Sequence, residues 1–250
     1  MNGCIAIDRI LSRLDEYLGK NDYISAERHL LYWLSEAQSG CDQKTELMIR
    51  NELMGLYRKL SRENEALECV YSAINKIDTL GIENTVGAAT TLLNAATVYK
   101  AFGKPIESIS LFEKAKEIYE KELQPDDSRL GGLYNNMALT LVDLCRYEDA
   151  YKLYKNAIAV MLNNENGLLE VAITYLNIAS AKEAELGLIE AENVISEYLE
   201  QAKRILDSHD NRDGYYAFVC EKCASVYGYY GYFLYDNELK ERARSIYEGA

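Results

Sequence analysis

Apolar residues recur along this chain at three- and four-residue steps. That is the period of an amphipathic helix, not the strict alternation of a strand. Leu93, Ala96 and Tyr99 share one face, and Ile109, Phe112, Ala115, Ile118 and Tyr119 share the next. No convincing strand pattern interrupts them. Short breaks divide the predicted helices into pairs: Gly103-Lys104-Pro105, Cys145-Arg146 and Leu186-Gly187. Pro105 suits a first helical turn, where a missing N–H leaves no bond unmade. Longer breaks separate the pairs: Gly81, the run from Gln124 to Ser128, and Asn163 to Gly167. Asp127 or Ser128 can cap the helix that follows with a side-chain oxygen.

The pairs repeat. Leu92 to Tyr119 nearly superimposes on Tyr134 to Met161 at an offset of 134 − 92 = 42 residues. Asn94 falls on Asn136, Ala96 on Ala138, Phe112 on Tyr154 and Ala115 on Ala157. A small residue stands early in each second helix, at Ala26, Ala66, Ser108, Ala150 and Ala191. Two antiparallel helices approach closely only where one presents such a residue, and a bulky neighbour then fills the groove beside it. One hairpin cannot bury its own apolar face, so stacked hairpins share a continuous core. This predicts an all-α chain forming one domain over 1–250, with repeats at about 5–40, 43–81, 85–124, 128–166, 168–208 and a degenerate 214–250. The sixth register is ambiguous, and its first helix reads as longer than the others.

At these residues the pattern resembles tetratricopeptide (TPR) repeats. Asn94-Ala95-Ala96-Thr97-Val98-Tyr99, Gly103, Phe112 and Ala115 carry the resemblance. Asn136-Met137-Ala138, Leu141, Tyr147, Ala150, Tyr154 and Ala157 repeat it. The period of about 42 exceeds the usual ~34 and is similar to the longer variety found in kinesin light chain. The resemblance implies a right-handed superhelical solenoid of about six antiparallel helix-turn-helix repeats, whose first helices line a concave groove. The chain departs from the pattern at Ser108, where Ala is usual. It departs again at Trp33 and Tyr198, where a small residue is usual late in the second helix, so looser first and fifth hairpins are expected.

Asn94, Asn136 and Asn177 hold the same place in three successive first helices. A helix interior mildly disfavours Asn, so its recurrence needs a reason. In similar repeat proteins this place faces the groove and the amide grips the main chain of a bound peptide, which an amide's donors and acceptor suit. The alternative is that these amides bond within the scaffold. Groove-side neighbours on this reading are Thr90, Leu93, Thr97, Asn135, Leu139, Ile173, Leu176 and Ser180. That set is neutral and lacks the Lys/Arg cluster of a carboxylate clamp, so an aliphatic peptide or a partner helix is the expected occupant.

Charge narrows the partner further. The net charge of −13 argues against nucleic acid and anionic membrane surfaces, both of which need a basic footprint. No apolar run is long enough to span a membrane, and the first residues read as an amphipathic helix instead of a secretory signal. Six scattered cysteines then read as reduced thiols in a cytoplasm. The C-terminal repeat is aromatic, from Tyr215, Tyr216 and Phe218 through Tyr227, Tyr229, Tyr230, Tyr232, Phe233 and Tyr235. Those rings either pack as core or form an interface. The end at Ala250 lacks a polar capping helix, which points to self-association there or to a longer parent protein.

Candidate chemistry is sparse. Cys220 and Cys223 form a lone CxxC inside a helical pattern, with no partner pair for zinc, and read as half-buried packing residues. His29 and His209 are the only histidines. Gly131-Gly132 reads as close helix packing. No cofactor is expected and no nucleophile–base pair can be named, so the reading is a protein- or peptide-binding scaffold, not an enzyme. The alternative is the effector- or peptide-sensing part of a larger transcription or signalling regulator.

Overall fold

The structure, a computed structural model, describes residues 7–165 and 167–249. Among these the chain is entirely helical. It divides into two compact units, meeting at Glu122 and Leu123. The first holds three hairpins: α1 (Ile7–Gly19) with α2 (Tyr23–Ser39), α3 (Gln43–Lys59) with α4 (Glu63–Leu80), and α5 (Val86–Ala101) with α6 (Pro105–Glu122). The second holds three more: α7 (Ser128–Asp143) with α8 (Tyr147–Met161), α9 (Gly167–Leu186) with α10 (Leu188–Ser208), and α11 (Gly214–Tyr229) with α12 (Phe233–Gly249). No helix among the described residues is long and apolar enough to cross a membrane.

Local chemistry sets the helix ends. Asp22, Asp42, Thr85, Asp127 and Asp213 each accept a backbone N–H of the first turn they cap. In every hairpin the reversal uses one residue in the left-handed region, two before the second helix except in the α9–α10 hairpin, where Gly187 stands one before α10 at φ 85°. Asn21, Ser61 and Cys145 do this at φ 55, 56 and 58°, and Gly103 and Gly231 at 70 and 85°. A side chain there is strained, so the three non-glycine turns are costlier than the three glycine ones.

The small residues sit at the fourth position of the second helix. Ala26, Ala66, Ser108, Ala150 and Ala191 are all fully buried. Ser108 also donates its hydroxyl to the Ala96 carbonyl of the facing helix at 2.8 Å. The sixth hairpin places Asp236 there instead. The space comes from the opposite helix, because a Cβ on Gly228 would meet the Asp236 carboxylate at 3.0 Å. This exchange is what obscures the register in sequence. The helix before it is not longer than its counterparts, since Asp213 caps it and Gly231 turns it after 16 residues. A second small residue follows seven positions on, at Ala73, Ala115, Ala157 and Ala243, all buried. Trp33 and Tyr198 replace it in the first and fifth hairpins and are half-buried. Trp33 packs edge-on to His29 and Tyr32, and Tyr198 lies 5.8 Å from Tyr175. Ile195, Leu199, Ala202 and Leu206 of α10 remain buried around Tyr198.

Much of the C-terminal tyrosine belt is core. Tyr216, Tyr227 and Tyr235 are buried, and each hydroxyl finds an acceptor: the Leu206 carbonyl, the Leu199 carbonyl and the Asp207 carboxylate. In the first unit, buried Glu46 accepts from Arg50 at 2.9 Å and from Lys76 at 2.7 Å. Burial pushes the Glu46 carboxyl up, but Lys76, Arg50 and Gln38 outweigh it and hold the group below its ordinary value.

Two outcomes follow for stability. Replacing Ser61→Gly should raise it by about 1 kcal/mol in chemical denaturation, because the left-handed turn no longer carries a side chain. Removing the carboxylate with Glu46→Ala should cost about 3 kcal/mol, since Arg50 and Lys76 lose their shared counter-charge. A depressed carboxyl adds stability above its unfolded pKa and loses it as pH falls through the folded value. Wild type and the variant should therefore converge in stability on acidification below 4.5, the ordinary value of this carboxyl.

Candidate functional site

First helices of the second unit carry a polar hollow. α7, α9 and α11 pack in succession. Over them lies an open pocket of about 720 Å³, bordered also by the end of α8. Asn135 and Asn136 from α7 reach it, with Glu170 from α9 and Tyr215 and Lys222 from α11. Arg129 lines its edge and is forked onto Asp127 at 2.6 and 2.9 Å. Lys222 is exposed and has no ion-pair partner among the described residues. The Tyr215 hydroxyl donates to Glu170. Burial, then this carboxylate, push its pKa well above the ordinary tyrosine value.

Two glycines shape the wall differently. A Cβ on Gly131 would meet Met161 Cε at 2.6 Å, so this glycine permits close packing. Gly132 has nothing within 4 Å and opens onto the pocket, correcting the expectation that both mark a tight contact. The neutral groove set expected from sequence is likewise incomplete: Arg129, Lys222, Glu165 and Glu170 put both signs of charge around the amides.

The three recurring asparagines are half-buried and already bonded within the protein. Asn94 donates to Asn51 Oδ1 of α3 at 3.0 Å, and Asn177 donates to Asn135 Oδ1 of α7 at 3.1 Å. Asn136 donates to the Gly132 carbonyl of its own helix at 2.9 Å. The amides thus link neighbouring first helices inside each unit, α3 to α5 and α7 to α9. Asn51 was not singled out in sequence, although it stands 43 residues before Asn94; it also donates to Thr91 Oγ1 at 3.0 Å. Asn94 and Asn177 each use one N–H this way, and an amide has a second N–H and an acceptor besides.

The remaining candidates scatter. Asn135 is buried at 8% exposure. Thr97 and Leu93 are half-buried in the first unit, as is Thr90, whose hydroxyl bonds Tyr119 at 2.7 Å. Thr97 donates to its own helix. Leu139 is half-buried and Ser180 exposed, and neither borders the polar pocket. Ile173 and Leu176 lie in the hydrophobic core, so they offer no groove surface.

Among the described residues no group of His, Cys, Asp and Glu could hold a metal. Cys220 and Cys223 are fully buried, not half-buried; burial raises both thiols, Cys223 to about 12, which leaves it unreactive. His29 is bonded to the Ile10 carbonyl, and His209 stacks on Tyr216. The five described cysteines are free thiols, and Cys4 lies outside the described residues.

Comparisons with known proteins agree with this architecture. The family model described as soluble NSF attachment protein, SNAP, matches residues 41–213. BtubC (BKLC) from P. vanneervenii has a similar structure, with TM-score 0.68 and 21% identity over 82% of this chain and 82% of that one. The kinesin light chain TPR-like repeats from Podosopora anserina are also similar, with TM-score 0.55 and 21% identity over 80% of this chain and 94% of that one. No curated protein matches in sequence. The fold is that of a TPR-like helical repeat protein.

Proposed function

The chain belongs to the soluble NSF attachment protein family, and from that premise we propose that it is a binding module that holds an extended peptide or partner helix against its first helices. One observation carries the reading: a polar, open pocket of about 720 Å³ across three successive first helices, with amides in its wall and unlike charges at its edge. The family's own description is of an attachment protein, which is a binding role.

An occupant would meet three kinds of group. Asn136 offers a side-chain amide to a peptide main chain, with Gly132 leaving room for close approach. Lys222 favours an acidic side chain, and Glu170 accepts from a donor. Asn135 and Asn177 hold the wall by bonding each other, so their part is positioning. In the first unit, taken by itself, Asn94 and Thr97 would form a row of the same kind; in the second unit Leu139 and Ser180 would be outlying contacts for a longer peptide.

The test is a peptide-library screen on the wild type and on the double variant Asn136→Ala, Lys222→Glu. Asn136 bonds only its own helix and Lys222 is exposed, so circular dichroism should not change. Binding should weaken at least tenfold, about 1.4 kcal/mol. Undiminished binding by a folded double variant rejects the pocket as the site.

A further inference from the structure

A second hollow lies at the turn end of the last two hairpins and shares no residue with the polar pocket. Its volume is about 590 Å³, in the range of ligand pockets. Ile195 and Leu199 form a buried floor, and Ile189, Tyr229 and Tyr232 stand around it. Ile189 is 84% exposed and Tyr229 70%. Apolar groups left in water together around a hollow are the usual sign of an interaction surface.

The aromatic wall is held in place. Tyr229 and Tyr230 donate their hydroxyls to the two oxygens of Glu183, at 2.6 and 2.8 Å. Tyr232 packs edge-on to Tyr227, with ring centres 6.1 Å apart. A wall fixed before binding loses less freedom when a partner docks.

Charge selects the occupant. Glu192 lines the hollow and has no cationic partner among the described residues. Glu183 faces two tyrosines and no lysine. Nearby Lys182 and Lys240 are already paired, with Glu185 and Asp236. The rim is therefore acidic. A second copy of this chain would bring the same acidic rim and a net charge of −13, and an anionic lipid surface would be repelled.

We propose that this hollow docks a short basic amphipathic helix of a partner protein, its apolar face on Ile189, Tyr229 and Tyr232 and its basic flank against Glu192. A helix meets such a groove with residues three and four apart, and lysines flanking that stripe reach the acidic rim.

The probe is a fluorescent Leu/Lys amphipathic helical peptide, with a scrambled peptide of identical composition as control, titrated against the full chain. The amphipathic peptide should bind at least tenfold more tightly than the scrambled one. Ile189→Asp and Glu192→Lys should each weaken it at least tenfold, and added salt should weaken it too. Both positions are exposed, so melting should not change. The double variant Asn136→Ala, Lys222→Glu should bind it as the wild type does, which separates this hollow from the polar pocket. Equal binding of the scrambled peptide, or no loss in Ile189→Asp, overturns the proposal. So does a sedimenting dimer that Ile189→Asp dissolves, because the occupant is then a second copy.

Discussion

Every hairpin depends on one close contact, where the fourth residue of the second helix meets the first helix. Ala26, Ala66, Ser108, Ala150 and Ala191 make that contact with no exposed surface. Helices that near leave gaps on either side of the contact, and these are filled by large side chains such as Phe112 and Tyr154, both fully buried. The last hairpin keeps the spacing by a different means, with Gly228 making room for Asp236. Substituting either partner of this contact forces the helices apart or leaves a cavity, and interiors packed as densely as crystals absorb neither change freely.

Because packing is settled between first and second helices, the outward side of the first helices is available for other work. Asparagine takes up part of it, bonding one first helix to the next within each unit through Asn51 with Asn94 and Asn135 with Asn177. Such bonds keep half-buried amides from facing an apolar neighbour unpaired. The bond between Asn135 and Asn177 also holds part of the wall of the polar pocket. The tyrosines divide in the same way: Tyr216, Tyr227 and Tyr235 fill the core with their hydroxyls bonded, while Tyr229 and Tyr232 stand at the turn end in solvent.

The helices and their pairing were readable because core packing imposes a period, and Ala66, Ser108 and Ala150 show it. The final hairpin was harder to read because its small residue moved to the other helix, at Gly228, and spacing along one helix cannot reveal that exchange. The turns were partly hidden for a similar reason. Asn21, Ser61, Gly103 and Cys145 adopt one backbone geometry with four residue types. The recurring asparagines were visible, yet whether they faced outward or bonded each other depends on side-chain direction, which periodicity does not encode. Charges at the polar pocket were missed because Arg129 lies in a first turn and Lys222 comes from another hairpin, so only the folded chain brings them together.

The central claim, that first helices form the binding face, is tested most directly by hydrogen–deuterium exchange of the full chain with and without a library-selected peptide. The account predicts slowed exchange over α7, α9 and α11 around Asn136, Glu170 and Lys222, with α10 and α12 unchanged. Slowing confined to the second helices would contradict it.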